Sequence, residues 1–201
     1  MKADYPIIRP QNRQDWRNWL AQHHTQKESV WVRLYKKGTG KENLTNAELT
    51  EEALCFGWID SLPRKLDDEQ FLMLVSPRKP KSAWSKVNKE RIRKLLKANL
   101  LTPAGLAKVE EAKRNGSWKA LEKSDRLEAP KELMAALKKN KKAESFYMSI
   151  TPGSKKVILE WIQTAKTDET RDKRIAETVR LAAMGLRANH YVDLKKPKRK
   201  T

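Results

Sequence analysis

The sequence predicts an α+β fold in which helices pack on a small antiparallel sheet, followed by an all-α C-terminal helical bundle. Residues 29–35 and 58–76 carry the alternating, β-branched and aromatic patterns typical of strands. Apolar residues recur at helical spacing from residue 86 onwards, and no strand pattern follows Pro130. We therefore predict an α+β domain over residues 1–122, a helical domain over residues 123–188 and a basic disordered tail over residues 189–201.

The strand patterns lie on both sides of a predicted helix. Residues 29–35 alternate Val30, Val32 and Leu34 with polar or aromatic residues, and residues 70–76 form a more apolar strand. Between them, residues 58–66 read as a strand that Pro63 interrupts, which predicts an edge strand or a bulge. These segments predict a sheet of about three antiparallel strands.

Capping residues mark where several helices begin and end. Asn12 precedes an amphipathic segment, and Thr45–Glu48 has the form of a capping box. Thr102-Pro103 and Thr151-Pro152 each place a capping threonine before a proline at the first helical position. Gly57 follows the second predicted helix as its C-cap. Local chemistry alone thus predicts most of the helix starts.

A long basic helix is predicted to begin after Ser82 or Ser85, because either serine can cap it. Lys89 is expected among the lysines and arginines on its solvated face. The predicted apolar stripe consists of Val87, Ile92, Leu95 and Leu96.

The charge is large and unevenly distributed. The 201 residues carry a formal net charge of +19, and 31 of the 44 lysines and arginines follow residue 80, against 14 of the 25 acidic residues. Such a field attracts polyanions such as nucleic acid, anionic lipid or acidic proteins. A lysine-rich solvated surface explains the same composition equally well.

The single cysteine excludes an internal disulfide framework and fits a reducing compartment. The longest apolar run, residues 71–75, is far too short to cross a bilayer, so no transmembrane segment is expected. The N-terminus lacks the apolar core of a secretory signal. We therefore expect a cytoplasmic protein, and no oligomeric state is predicted.

The loop after the last predicted strand is the strongest candidate for a binding site. Arg78, Lys79 and Lys81 lie among prolines that restrict the loop, and the helix start that follows favours an anion. Trp84 would offer a stacking face. This arrangement predicts a site for an anionic small molecule or a polyanion, although a core tryptophan, a plain cap and solvated cations explain the same residues about as well. The predicted ligand-binding residues are Trp58, Asp60, Arg64, Arg78, Lys79, Lys81, Ser82, Trp84, Ser85 and Asn88.

No complete catalytic, metal or cofactor signature is present, so no cofactor is expected and no catalytic residue is assigned. Asp60 would pair with Arg64 or Arg78 or act as a base, and pairing is the commoner role. The acidic residues 67–69 lack a histidine partner and fit a hairpin turn. Cys55 lies on an apolar helix and fits a buried structural cysteine. A binding protein is therefore favoured over an enzyme that acts on an acidic small molecule.

Weak, salt-sensitive and sequence-neutral nucleic-acid binding is the main alternative. The basic helix, the lysines of residues 138–142 and the basic tail would form a surface that follows phosphates. No helix-turn-helix, zinc-finger or RNP motif accompanies them.

Several motifs together resemble a known family. They are the segment ALCFGWID at residues 53–60, SPRKPKSAWS at residues 76–85, PAGL at residues 103–106 and the C-terminal residues 161–175. In this order and spacing they resemble the YdeI/OmpD-associated family, which carries a bacteriocin-protection label. Ser61 departs from the pattern, since relatives often have glycine there. The resemblance implies a bacterial cytosolic protein linked to stress resistance against bacteriocins or antimicrobial peptides.

Overall fold

The computed structural model describes residues 5–41 and 43–190. Contacts divide the chain into two compact units, Met1–Lys119 and Ala120–Thr201, which we call the N-terminal and C-terminal units. The predicted domain boundary after residue 122 stays a prediction. From residue 191 onwards the predicted basic tail lies outside the described residues.

The N-terminal unit combines helices with a four-stranded sheet. Its elements are β1 (Ile7–Ile8), α1 (Arg13–His23), β2 (Val30–Tyr35), α2 (Asn46–Cys55), β3 (Trp58–Lys65), β4 (Gln70–Pro77), α3 (Lys86–Lys97) and α4 (Pro103–Arg114). The strand order is β1-β2-β4-β3. Strands β2, β3 and β4 pair in antiparallel fashion, whereas β1 runs parallel to β2. The predicted α+β class is confirmed, and the sheet has one more strand than predicted because two residues are too few to show a pattern.

Strand β3 is the edge strand that Pro63 predicted. Its register against β4 shifts between Asp60 and Pro63, so the irregularity occurs where proline cannot donate a ladder hydrogen bond. The core of the unit includes Trp16 and Leu20 on α1 and the inward residues of β2. The indole Nε1 of Trp16 donates to the Leu49 carbonyl over 3.1 Å, which ties α1 to α2.

A buried carboxylate joins the same two helices. Glu52 on α2 is only 2% exposed. It accepts hydrogen bonds from Arg13 and Arg17 of α1, each over 2.6 Å. Because two partly exposed cations share one buried anion, the charge of Glu52 is compensated at the α1–α2 contact.

The face of α3 that packs inward differs from the predicted stripe. Val87 and Leu96 are exposed, whereas Lys89 is 6% exposed together with buried Ile92 and Leu95. The ammonium of Lys89 lies 5.6 Å from the centroid of the Trp118 ring. The predicted apolar face of α3 was wrong, because the helix is rotated about its axis so that Lys89 faces inward. A lysine stem can pack on an aromatic ring while its charge stays in favourable contact with the ring.

The C-terminal unit is helical. Its elements are α5 (Glu122–Asp125), α6 (Lys131–Lys138), α7 (Lys141–Ser149), α8 (Pro152–Gln163) and α9 (Asp168–Ala183). Helix α9 packs against α6, α7 and α8 around Leu133, Leu137, Ile158 and Ile162. Tyr147 is buried there, and burial raises the pKa of its phenol to about 12. Across the described residues of both units, no helix has the length and apolar character required to span a membrane.

Candidate functional site

A cleft of about 850 Å³ lies at one end of the sheet in the N-terminal unit. The start of β2, the start of β3 and the end of β4 meet at this end, because β4 runs antiparallel to both β2 and β3. The cleft is also lined by the turn after α1, the loop after β4 and the first turns of α4. Its volume falls within the range of about 300–1,000 Å³ that is typical of small-molecule pockets.

Among the described residues, the lining carries basic side chains and no acidic one. The basic residues are His24, Lys27, Arg78, Lys79 and Lys108. The ammonium groups of Lys27 and Lys79 have no hydrogen bond or ion pair within the described part of the chain, whereas Lys108 pairs with Glu111 over 3.0 Å. The cleft is therefore electropositive, with two cations available to a ligand.

Arg78 forms the inner end of the basic loop. It is 5% exposed, and its guanidinium lies 3.7 Å from the centroid of the Trp84 ring. One guanidinium nitrogen donates to the Ala83 carbonyl over 3.0 Å. Burial lowers the pKa of Arg78 to about 10, and the nearby charge of Asp60 partly opposes this shift. The buried guanidinium of Arg78 thus anchors the loop through Ala83 and Trp84, and it adds positive charge to the cleft.

Two serines form a hydroxyl pair on the cleft wall. Ser29 Oγ and Ser76 Oγ lie 2.7 Å apart at the start of β2 and the end of β4. One hydroxyl hydrogen is used within this pair. For the other, no acceptor is found among the described residues, so the pair offers one O–H donor towards the cleft.

Two glycines bring α4 to the cleft. A Cβ atom at Gly105 would lie 2.3 Å from the Cys55 carbonyl oxygen, so α4 meets the end of α2 at backbone contact. Gly57 has a φ of +78°, and a Cβ atom there would lie 2.8 Å from Cγ of Lys108. Both positions require glycine, and this close approach lets Ala104, Ala107 and Lys108 line the cleft.

Trp58 connects the cleft floor to the turn after α1. It is almost fully buried, and its indole Nε1 donates to the His24 carbonyl over 2.9 Å. The His24 ring lies 5.6 Å from the Phe56 ring. These contacts fix the aromatic part of the lining in one arrangement.

Of the ten predicted site residues, Trp58, Arg78 and Lys79 line the cleft. Asp60 lies outside the lining and makes no ion pair with Arg64 or Arg78, although its charge acts on Arg78. Arg64 lies over the Trp31 ring at 4.6 Å from its centroid. Asp60 and the basic loop are thus close enough to interact electrostatically, while Asp60 does not reach the cleft.

The remaining predicted residues belong mainly to the loop and the start of α3. Ser82 donates to the Lys79 carbonyl over 2.8 Å, and Ser85 caps α3 by accepting from the Asn88 amide. Trp84 is buried beside Trp118, with ring centroids 5.0 Å apart. Lys81 is exposed and outside the cleft. Asn88 accepts a hydrogen bond from Arg91 over 2.9 Å. As a ligand-binding set, the ten residues stay a prediction.

Sequence reasoning missed most of the polar lining. His24, Lys27, Ser29, Ser76 and Lys108 come from four separate segments, and Ser29 and Ser76 lie 47 positions apart. A local signal existed only for Ser76, which begins the SPRKPKSAWS motif at a strand end. The others are ordinary surface residue types, and only the strand pairing brings them together.

The structure also assigns roles to the acidic turn and the cysteine. Asp67 accepts hydrogen bonds from the backbone of Glu69 and Gln70 over 2.8 and 2.7 Å, which is the hairpin turn that the sequence predicted.

Cys55 is buried, and burial raises the pKa of its thiol. Within residues 5–41 and 43–190, no group of three or more His, Cys, Asp or Glu side chains is arranged to hold a metal ion.

A second cavity, of about 480 Å³, lies in the C-terminal unit near the start of α9. Its basic residues are matched by acidic ones in the same lining, and Arg171 pairs with Glu132 over 3.1 Å. Its charges are thus largely compensated, in contrast to those of the cleft.

Two family models match the chain. Residues 8–108 match a domain of unknown function (DUF8412), and this region contains all the residues that line the cleft except Tyr5. Residues 126–185 match the family described as bacteriocin-protection, YdeI or OmpD-associated, which confirms the predicted family for this segment. Of the motifs that carried the resemblance, only residues 161–175 lie in this match, and the other three lie within residues 8–108. No curated protein and no solved structure matches the chain. The chain therefore belongs to the DUF8412 family, and its C-terminal segment is similar to the family described as bacteriocin-protection, YdeI or OmpD-associated.

Proposed function

We propose that this protein binds a small anion in the cleft of the N-terminal unit and thereby acts in protection against bacteriocins or antimicrobial peptides. The observation that carries the proposal is the lining, in which the described residues include five basic side chains and no carboxylate. The physiological setting comes from the bacteriocin-protection family that residues 126–185 match. The reducing cytoplasm, which the single cysteine suggests, is the compartment we propose.

The electrostatics of the cleft support an anionic ligand. Like charges that converge on a concave surface repel one another, and a bound anion relieves this repulsion. Lys27 and Lys79 are the cations best able to contact it, since neither is engaged by a described residue and both are exposed. Arg78 acts differently, because its guanidinium is already held by Ala83 and Trp84.

We propose binding without turnover. The one base suggested by the sequence, Asp60, is not among the lining residues. Of the described titratable residues that line the cleft, His24 is the one that remains when the lysines, Arg78 and Tyr5 are set aside. The Nδ1 atom of His24 lies 3.1 Å from the Leu20 carbonyl oxygen, so this nitrogen is already used as a donor. Trp58 binds the backbone carbonyl of the same histidine. These contacts give His24 a role in shaping the wall.

The test is a charge-matched pair of double variants. Lys27→Ala/Lys79→Ala removes the two available cleft cations, and Lys81→Ala/Lys86→Ala removes two exposed lysines outside the cleft. Inorganic phosphate at ten times its dissociation constant should stabilise the wild-type protein by about 1.4 kcal/mol in thermal unfolding. The control should retain this gain and the cleft variant should lose most of it. Equal stabilisation of the two variants would contradict the proposal.

A further inference from the structure

The anion site has a second, apolar character. Resting on the proposed anion-binding function, we propose that the ligand is a phosphate monoester of a compact apolar group. Its phosphate would lie beside Lys27, Lys79 and the Ser29–Ser76 hydroxyl pair, and its carbon skeleton would lie along Ala104 and Ala107 of α4.

The size of the cleft argues for an organic molecule over a lone ion. A volume of about 850 Å³ greatly exceeds what a single inorganic oxyanion fills, and pockets of this size usually hold drug-sized ligands. An inorganic ion would leave most of the cleft to water. The remaining space therefore indicates that the ligand extends beyond its charged group.

The wall contributed by α4 is apolar as far as Ala107, and Lys108 follows it in the lining. Ala104 and Ala107 face the cleft, and Leu74 and Pro77 line it from the sheet side. Small side chains at Ala104 and Ala107 keep the wall open, while Gly105 and Gly57 hold the helix in place by backbone contact. An apolar group placed there would remove carbon surface from water at both walls.

The polar part of the lining fits a dianionic oxyanion. Lys27 and Lys79 supply two ammonium groups, and Arg78 adds a buried positive charge nearby. The serine pair supplies one hydroxyl hydrogen without an acceptor in the described part of the chain. A phosphate monoester carries close to two negative charges at neutral pH and has three acceptor oxygens, so it matches this donor set better than a carboxylate does.

The inference is tested with two probes, inorganic phosphate and phenyl phosphate, titrated calorimetrically into the full chain. Phenyl phosphate should bind the wild-type protein about tenfold more tightly than inorganic phosphate, because only the ester reaches the apolar wall. In Ala107→Trp the indole fills that wall, and the preference should disappear. Leu106→Trp is the matched control on the same helix, since Leu106 is exposed and outside the lining, and it should keep the preference.

A double variant, Ser29→Ala/Ser76→Ala, tests the polar end separately. It should weaken both probes by about tenfold, because a hydrogen bond to a charged group is lost. Equal affinities of the wild-type protein for the two probes, or an unchanged preference in Ala107→Trp, would overturn the inference while leaving anion binding intact. If neither inorganic phosphate nor phenyl phosphate binds, the proposed function itself is contradicted.

Discussion

The two units bury different kinds of polar group. In the N-terminal unit, the buried polar residues include the charged side chains of Glu52, Arg78 and Lys89. In the described part of the C-terminal unit they are hydroxyls alone, from Ser124, Ser154 and Thr178. Buried charges are costly unless partners hold them, so each one fixes the positions of its neighbours.

This difference coincides with the location of the cleft. Arg78 holds the loop whose next residue, Lys79, lines the cleft, and Glu52 joins α1 to α2, whose ends lead into the lining. The C-terminal core is built instead from aliphatic side chains around α9. In this protein, polar burial thus accompanies the positioning of the cleft lining, whereas apolar packing suffices for the helical unit.

The largest predicted effect concerns Glu52. In Glu52→Ala, Arg13 and Arg17 lose their buried partner, and the N-terminal unit should be destabilised by about 3 kcal/mol. Glu51→Ala is the matched control, because Glu51 pairs with Arg13 nearer the surface and should cost less than about 1 kcal/mol. Native-state hydrogen exchange of α2 amides measures the destabilisation in both variants. Equal destabilisation by Glu52→Ala and Glu51→Ala would contradict the importance we assign to the buried carboxylate.

The next prediction compares one substitution in the two units. Gly105→Ala should destabilise by about 2–3 kcal/mol, because the new methyl group meets the backbone at Cys55. Gly153→Ala, also in the first turn of a helix that follows Thr-Pro, meets nothing within 4 Å and should stabilise by about 0.5 kcal/mol. Urea unfolding of the two variants checks this. The same sign at both sites would contradict the backbone contact that positions α4.

These helix starts also show what the sequence could and could not predict. Thr102-Pro103 and Thr151-Pro152 begin α4 and α8 as predicted, because capping depends on residues three positions apart. The same local pattern does not reveal that Gly105 contacts Cys55, fifty positions earlier. The fold class followed from local periodicity. The Ser29–Ser76 pair and the burial of the Arg78 side chain depend instead on strand pairing.

The smallest predicted effect concerns Tyr147 in the C-terminal unit. Its pKa is raised to about 12 by burial, so the neutral phenol is favoured in the folded state. This contribution is present below pH 10 and is lost as the pH rises from 10 towards 12, since the unfolded chain ionises first. Between pH 8 and pH 11, the wild-type protein should therefore lose more stability than Tyr147→Phe in denaturant unfolding. An identical loss in both proteins would show that the phenol is not shielded.

The most direct test of the central claim is to locate the bound anion. Inorganic phosphate titrated into ¹⁵N-labelled wild-type protein should produce saturable shift changes in the amides of Lys27, Ser29, Ser76, Lys79 and Ala104, all with one dissociation constant. Changes that do not saturate and that spread over exposed lysines of α3 and residues 138–142 would indicate general polyanion attraction. That result, or unshifted cleft amides, would contradict the anion-binding cleft.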